Sequence, residues 1–204
     1  MKISIISGSH RNPSQSEKIG KYVEKLFNEK FSDVEPFLYT LADNPLPLWD
    51  QSVWEDDEAW NERLAPLKKQ FSESDAFVII SPEWHGQVPS GLKNFFLLFN
   101  RFEFGHKPAF IITVSSGSGG TYPVAELRMS SYKNNRLCYI PEHLIIREVE
   151  NVFNEKDEDN DKRSDPYYKE RLEWGLNILT GYGKALKTMR EQTEVHHDKF
   201  GNGM

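Results

Sequence analysis

The chain has 204 residues, 38% of them hydrophobic and 27% charged, a balance that fits one soluble globular domain and excludes a disordered or fibrous chain. Its formal net charge of −6 opposes an extended phosphate backbone, so nucleic acid is a poor partner. With Cys138 as the single cysteine, an intrachain disulfide and a cysteine-based metal cluster are both excluded.

The first apolar run, Lys2–Ser7, reads as a strand, and the opening MKISIISGSH is too short in its apolar stretch for a signal peptide. No window approaches the ~20 apolar residues that cross a bilayer, so no membrane insertion is expected and the cytoplasm is the expected location. A helix follows over 16–30, with Ile19, Val23, Leu26 and Phe27 on one face, the spacing that packs a helix on a sheet. A second strand is expected at 34–40 and a second helix around 57–72, which Pro66 is expected to break or kink. Strands at 76–81 and 109–114 are apolar on both faces, as in a parallel sheet covered by helices on both sides. Helices over 90–101 and 122–135 flank the latter strand, a fifth strand lies within 137–149, and a last helix runs over about 165–190. Cys138, in an apolar run at the start of that fifth strand region, reads as a buried spectator.

Strand alternating with helix predicts a doubly wound α/β sheet in one domain spanning 1–190, with 191–204 as a flexible tail. On such a tail the neighbouring His196, His197 and Asp198 do not converge on one ion, so no metal is expected. The acidic stretch 152–166 lacks the glycine and terminal glutamate of a calcium loop and reads as a solvated surface loop. In a doubly wound sheet, ligands bind beyond the carboxyl ends of the strands. The loops after the first, third and fourth strands are therefore where function is expected.

The first of these loops, Ser7-Gly8-Ser9-His10-Arg11-Asn12-Pro13-Ser14-Gln15-Ser16, runs straight into a helix. A phosphate dianion needs backbone amides, hydroxyl donors and a cation in a small space. The helix N-terminus offers the amides, Ser9, Ser14 and Ser16 the hydroxyls, and Arg11 the cation. A helix cap alone would explain one of those residues, not three hydroxyls and an arginine. The G-x-G-x-x-G spacing and the Gly-Lys-Ser/Thr of a P-loop are both missing, so a terminal phosphate fits better than a pyrophosphate. After the third strand, Pro82, Glu83, Trp84, His85 and Gly86 form a turn that can border a flat heteroaromatic ring. After the fourth, Ser115, Ser116, Gly117 and Gly119 permit close backbone approach. No Gly-x-Ser-x-Gly elbow is present there, which weakens a hydrolase reading.

Ser-Pro-Glu-Trp-His-Gly followed by Ser-Gly-Leu-Lys-Asn resembles the Pro-Glu-Tyr-(Asn/His)-Gly … Leu-Lys-Asn signature of the NADPH-dependent FMN reductase family, which includes quinone, azo-dye and chromate reductases. The opening Gly8-Ser9-His10-Arg11-Asn12-Pro13-Ser14 resembles that family's Gly-Ser-x-Arg-x-x-Ser phosphate loop, and the likeness covers roughly residues 1–135. Trp84 stands where tyrosine is usual and keeps an aromatic face. The resemblance implies a flavodoxin-like fold with a five-stranded parallel sheet in the order 2-1-3-4-5. It implies non-covalent FMN, with NADPH or NADH as co-substrate and a small acceptor such as a quinone, flavin, azo compound or metal oxyanion. By matching position Ser9, Arg11, Ser14, Gln15 and Ser16 would lie at the phosphate. Pro82, Glu83, Trp84, His85 and Gly86, with Ser115, Ser116, Gly117 and Gly119, would border the ring. Hydride passes from nicotinamide to flavin in that chemistry, no acid–base side chain is demanded, and no catalytic residue is assigned. The backbone amides of residues 83–86 and 116–119 would steady charge developing on the ring.

The alternative is a non-catalytic FMN-binding electron carrier of flavodoxin type. Further rivals are a phosphosugar- or nucleotide-processing enzyme without flavin, and a partner-binding protein that has lost its cofactor. The run 95–104 holds five phenylalanines and, with Trp49, Trp54 and Trp60, predicts a homodimer or homotetramer interface.

Overall fold

In the computed structural model, which describes residues 1–202, each predicted strand forms. They are β1 (Lys2–Ser7), β2 (Glu35–Thr40), β3 (Ala76–Pro82), β4 (Pro108–Val114) and β5 (Cys138–Ile146). The helices are α1 (Gln15–Lys30), α2 (Glu58–Glu73), α3 (Ser90–Leu98), α4 (Arg101–Phe104), α5 (Thr121–Ser130) and α6 (Ser164–Gln192). All strand pairs are parallel, in the order β2-β1-β3-β4-β5. The chain leaves β1 toward one edge and returns to the other side of it as β3. That reversal opens a crevice beyond the ends of β1 and β3.

The two central strands bury every residue, which is why they lack alternation. Ile3, Ile5, Val78, Ile80, Phe110 and Ile112 face α1 and α6, where Leu172, Leu176 and Leu179 pack. Gly175 is required in α6 because a β-carbon there would lie 2.6 Å from the Phe110 ring. On the other face an aromatic cluster centres on Phe71, with Phe99 at 5.0 Å, Phe95 at 5.6 Å and Phe77 at 6.2 Å between ring centroids.

Five sequence expectations need correction. The predicted helix over 90–101 is two helices: Asn100 starts α4 with a capping box, its side chain accepting from Phe102 N at 2.9 Å while Glu103 accepts from Asn100 N at 2.8 Å. Pro66 does not break α2, which continues through it. The proline is exposed, and so is Glu62, whose carbonyl loses its donor to the ring and can turn to water. Phe95, Phe99 and Phe104 are core residues rather than an interface, and Trp60 is buried with them. Finally, the acidic stretch after β5 is tied down rather than merely solvated. Val152 and Phe153 are buried, Phe153 N donates to Asp165 Oδ1 at 2.7 Å, and Asn154 and Asn160 bond each other reciprocally. The helix expected over 122–135 is shorter, ending at Ser130.

Candidate functional site

The carboxyl ends of β1, β3 and β4 deliver three loops to one cavity of about 660 Å³. Twelve predicted residues line it: Ser9, Arg11, Ser14, Gln15, Ser16, Pro82, Glu83, Trp84, His85, Ser115, Ser116 and Gly117. Gly86 and Gly119 do not. They stand behind the wall, in roles described below. His10, Val114 and Val149 complete the lining.

The first loop is drawn tight against β3. Gly8 N donates to Ile80 O at 2.8 Å, and a β-carbon on Gly8 would lie 2.8 Å from that oxygen and 2.6 Å from Leu92 Cδ2. Ser14 caps α1 by accepting from Glu17 N at 3.1 Å, which leaves its hydroxyl hydrogen available to donate. The amides of Gln15 and Ser16 open the helix and have no carbonyl one turn below them. Among the described residues Ser16 Oγ is buried without a hydrogen-bond partner, as is Gln15 Oε1. Leaving a buried hydroxyl unpaired costs ~1–3 kcal/mol, so these atoms mark a place built for a polar guest. Arg11 is exposed at the mouth and forms no ion pair among the described residues. A phosphate would meet hydroxyls, helix-end amides and a guanidinium here, so the residues present fit that group.

The third-strand loop is a two-residue hairpin. Trp84 N donates to Gln87 O at 3.1 Å and Gln87 N to Trp84 O at 3.0 Å. Both central residues are left-handed, His85 at φ 50° and Gly86 at φ 70°, as in a primed turn. Gly86 therefore serves the turn rather than the cavity wall. The hairpin raises Trp84 toward the cavity, where the His10 ring meets it edge-on at 4.5 Å and 89°. His10 Nδ1 is buried without a partner among the described residues, packed so closely on Gly91 that a β-carbon there would lie 2.7 Å away.

Glu83 locks the third-strand loop to the fourth. Its amide donates to Val114 O at 3.0 Å and its carboxylate accepts from Gly120 N at 2.6 Å. A β-carbon on Gly119 would lie 2.5 Å from Glu83 Oε1, which explains that glycine. The amides of Glu83 and Trp84 are thus spent inside the protein, correcting the expectation that they face the ring. Thr113 Oγ1 donates to Gly120 O at 2.7 Å and holds the far end of the loop.

The segment after β5 supplies a wall that sequence reasoning missed. Val149 N donates to Ser115 O at 3.1 Å, and the buried Val149 side chain lines the cavity. Lys18, one turn into α1, donates to Val149 O at 2.7 Å, Val152 O at 2.8 Å and Asn154 Oδ1 at 3.0 Å. Burial pulls its ammonium below the ordinary lysine range, opposed by Glu150 and Asp165. A lone valine in a polar stretch carries no signal of this role.

The family model described as NADPH-dependent FMN reductase matches residues 1–151. The chain belongs to that family. The FMN-dependent NADPH-azoreductase of Staphylococcus saprophyticus is 32% identical over 130 residues, covering 63% of this chain and 68% of its own. The NADPH azoreductase of Bacillus sp. strain OY1-2 is 27% identical over 146 residues, covering 72% and 76%. Among solved structures, FerB, a flavoenzyme NAD(P)H:(acceptor) oxidoreductase from Paracoccus denitrificans, superposes with a TM-score of 0.67 at 21% identity, over 92% of this chain and 97% of that one. That likeness shows the flavodoxin-like fold.

Proposed function

We propose that this chain holds FMN in the three-loop cavity and passes electrons from NADPH or NADH to a small acceptor, a quinone, free flavin, azo compound or metal oxyanion. The unpaired, buried Ser16 Oγ carries the reading: it lies at the helix end of a cavity whose other side is framed by the Trp84 hairpin. Bound FMN supplies the redox chemistry, taking up hydride equivalents and releasing electrons, while the protein supplies position and electrostatics. Ser9, Arg11, Ser14, Gln15 and Ser16 hold the phosphate. Pro82, Glu83, Trp84 and His85 border the ring on one side, and Ser115, Ser116 and Gly117 on the other. Gly86 and Gly119 act indirectly, through the hairpin and through Glu83.

The test is NADPH consumption by FMN-loaded protein with a quinone present. Sustained turnover supports the reading. Stable FMN binding with negligible NADPH consumption would favour an electron carrier, and a protein that retains no FMN would remove both.

The reading includes self-association. Trp54 and Leu97, 76% and 62% exposed, line the groove between α3 and α5 together with Val88, Phe96, Phe99 and Leu127. An exposed apolar groove of this kind suits a protein surface. A second copy of the chain is the occupant, and sedimentation of a clean monomer at micromolar concentration would refute it. The cytoplasm, where reduced nicotinamide nucleotides are supplied, is the proposed location. No helix among the described residues is long and apolar enough to cross a membrane.

A further inference from the structure

Arg147 follows the last residue of β5 at the carboxyl end of the sheet, beside the loop that ends β4. The backbone on both sides of it is tied to that loop: Ser115 N donates to Ile146 O at 3.0 Å, Glu148 N to Gly117 O at 3.1 Å, and Val149 N to Ser115 O at 3.1 Å. Glu148 takes the left-handed conformation, φ 48°, as the chain reverses there. The Arg147 side chain then reaches the far part of the same loop. Its Nε donates to Ser118 O at 2.7 Å and to Gly119 O at 3.2 Å. Loop and arginine therefore form one rim, with Ser115, Ser116 and Gly117 on the cavity side.

That pinning uses only Nε. Among the described residues neither Nη group has a hydrogen-bond acceptor, Arg147 forms no ion pair with Glu148 or Glu150, and the residue is exposed. Glu150 instead accepts from Ser116 Oγ at 3.1 Å. A guanidinium held at Nε with its other edge unpaired is preorganised for bidentate capture of a phosphate or carboxylate. It is not a second grip on the FMN phosphate, because the proposed function seats that group at the α1 end beside the unpaired Ser16 hydroxyl, and Arg147 does not line the cavity. A dinucleotide whose nicotinamide enters a cavity occupied by flavin must leave its adenosine end outside, beyond the rim. NADPH differs from NADH by one phosphate, on the adenosine ribose.

We propose that Arg147 recognises the 2′-phosphate of NADPH and sets the preference for NADPH over NADH. The assignment rests on the FMN-dependent reading above, and its test separates the two. Arg147→Met and Arg147→Lys are compared with the parent protein, all loaded with FMN. Losing a charge-assisted bidentate pair lowers the ratio of kcat/KM for NADPH to that for NADH by about 10–100-fold in Arg147→Met, through KM rather than kcat. Lysine, a point charge, restores part of the ratio. Adenosine 2′,5′-bisphosphate, a competitor carrying the distinguishing phosphate, loses inhibitory potency in parallel, whereas adenosine 5′-diphosphate does not. An equal loss with both coenzymes would reduce Arg147 to a structural clamp on the rim and overturn the proposal, as would an unchanged ratio. FMN titration of the same variants gives the independent reading: a parent protein that fails to bind FMN defeats the proposed function, while FMN binding with no change in coenzyme ratio defeats only the role of Arg147.

Discussion

Two cavities among the described residues are of nearly equal size, about 660 Å³ at the carboxyl end of the sheet and about 680 Å³ between α3 and α5. Volume does not tell them apart; chemistry does. The first gathers loops from three neighbouring strands, places a helix N-terminus at its edge and leaves Ser16 Oγ, Gln15 Oε1 and His10 Nδ1 unpaired in its walls. The second is lined by Val88, Phe96, Phe99 and Leu127, and polar groups in its wall are already satisfied. Buried Asn135 donates to Ser131 O at 2.7 Å and accepts from Leu137 N at 3.0 Å, while half-buried Glu126 accepts from Val88 N at 2.8 Å and pairs with Lys93 at 2.6 Å. One is shaped for a polar, flat guest and the other for an apolar surface. The two share the segment 82–88, so the hairpin that borders the first cavity sends Val88 into the second.

Substitutions at the polar cavity sharpen this contrast, beginning with the largest effect. Arg11→Ala is expected to weaken FMN binding by about 1.5–3 kcal/mol, the scale of a lost charged hydrogen bond, with little change in the stability of the FMN-free protein. Flavin fluorescence titration and thermal melting check the two halves. Gly8→Ala pushes a methyl against Ile80 O and Leu92, and because the backbone oxygen cannot yield, the first loop must move. A loss of about 1–3 kcal/mol of stability is expected in denaturant unfolding, together with weaker FMN binding. Glu83→Gln replaces the carboxylate that accepts from Gly120 N and should cost about 1 kcal/mol, read in the same unfolding experiment.

How far the sequence predicts such a site depends on which forces shape each part. Fully buried strands such as β3 and β4 announce themselves because nearly every residue is apolar, and their ends fall within a residue or two of expectation. The first loop was legible as a cavity wall because its hydroxyls, arginine and helix start are consecutive in the chain. His10 and Val149 were not legible as cavity walls. Their positions depend on packing against Trp84 and on the Lys18 clamp, contacts across 74 and 131 positions in the chain. Likewise Phe95, Phe99 and Phe104 read as surplus apolar area until Phe71, from another helix, gathers them into a core. The break before α4 was in principle readable, since Asn100 and Glu103 have capping-box spacing.

A pH-dependent effect lies in the aromatic layer around Phe71. Lys107 is buried and caps the end of α2 by donating to Phe71 O at 2.8 Å and Ser72 O at 2.7 Å. Burial, with Arg190 adding to it, lowers its pKa from 10.5 to about 7. Between those values the folded protein binds fewer protons at this site than the unfolded chain, so stability climbs as pH rises from about 7 toward 10.5. Lys107→Met should flatten that slope relative to the parent when melting is followed across the range. An unchanged slope would mean that Lys107 keeps its proton in the fold. The smallest effect on flavin is expected from the groove itself. Trp54→Ser should shift sedimentation toward monomer while FMN affinity stays within about threefold, under 1 kcal/mol; a large loss of FMN would erase the division of labour between the two cavities.

The account stands on the claim that one cavity holds a phosphate at one end and a flat ring at the other, and FMN and riboflavin differ by that phosphate alone. Parallel titrations of the flavin-free protein with both ligands test it most directly. FMN should bind about 100-fold more tightly than riboflavin, the worth of two or so charge-assisted hydrogen bonds, and Arg11→Ala should narrow the gap. Equal affinity for the two flavins would contradict it.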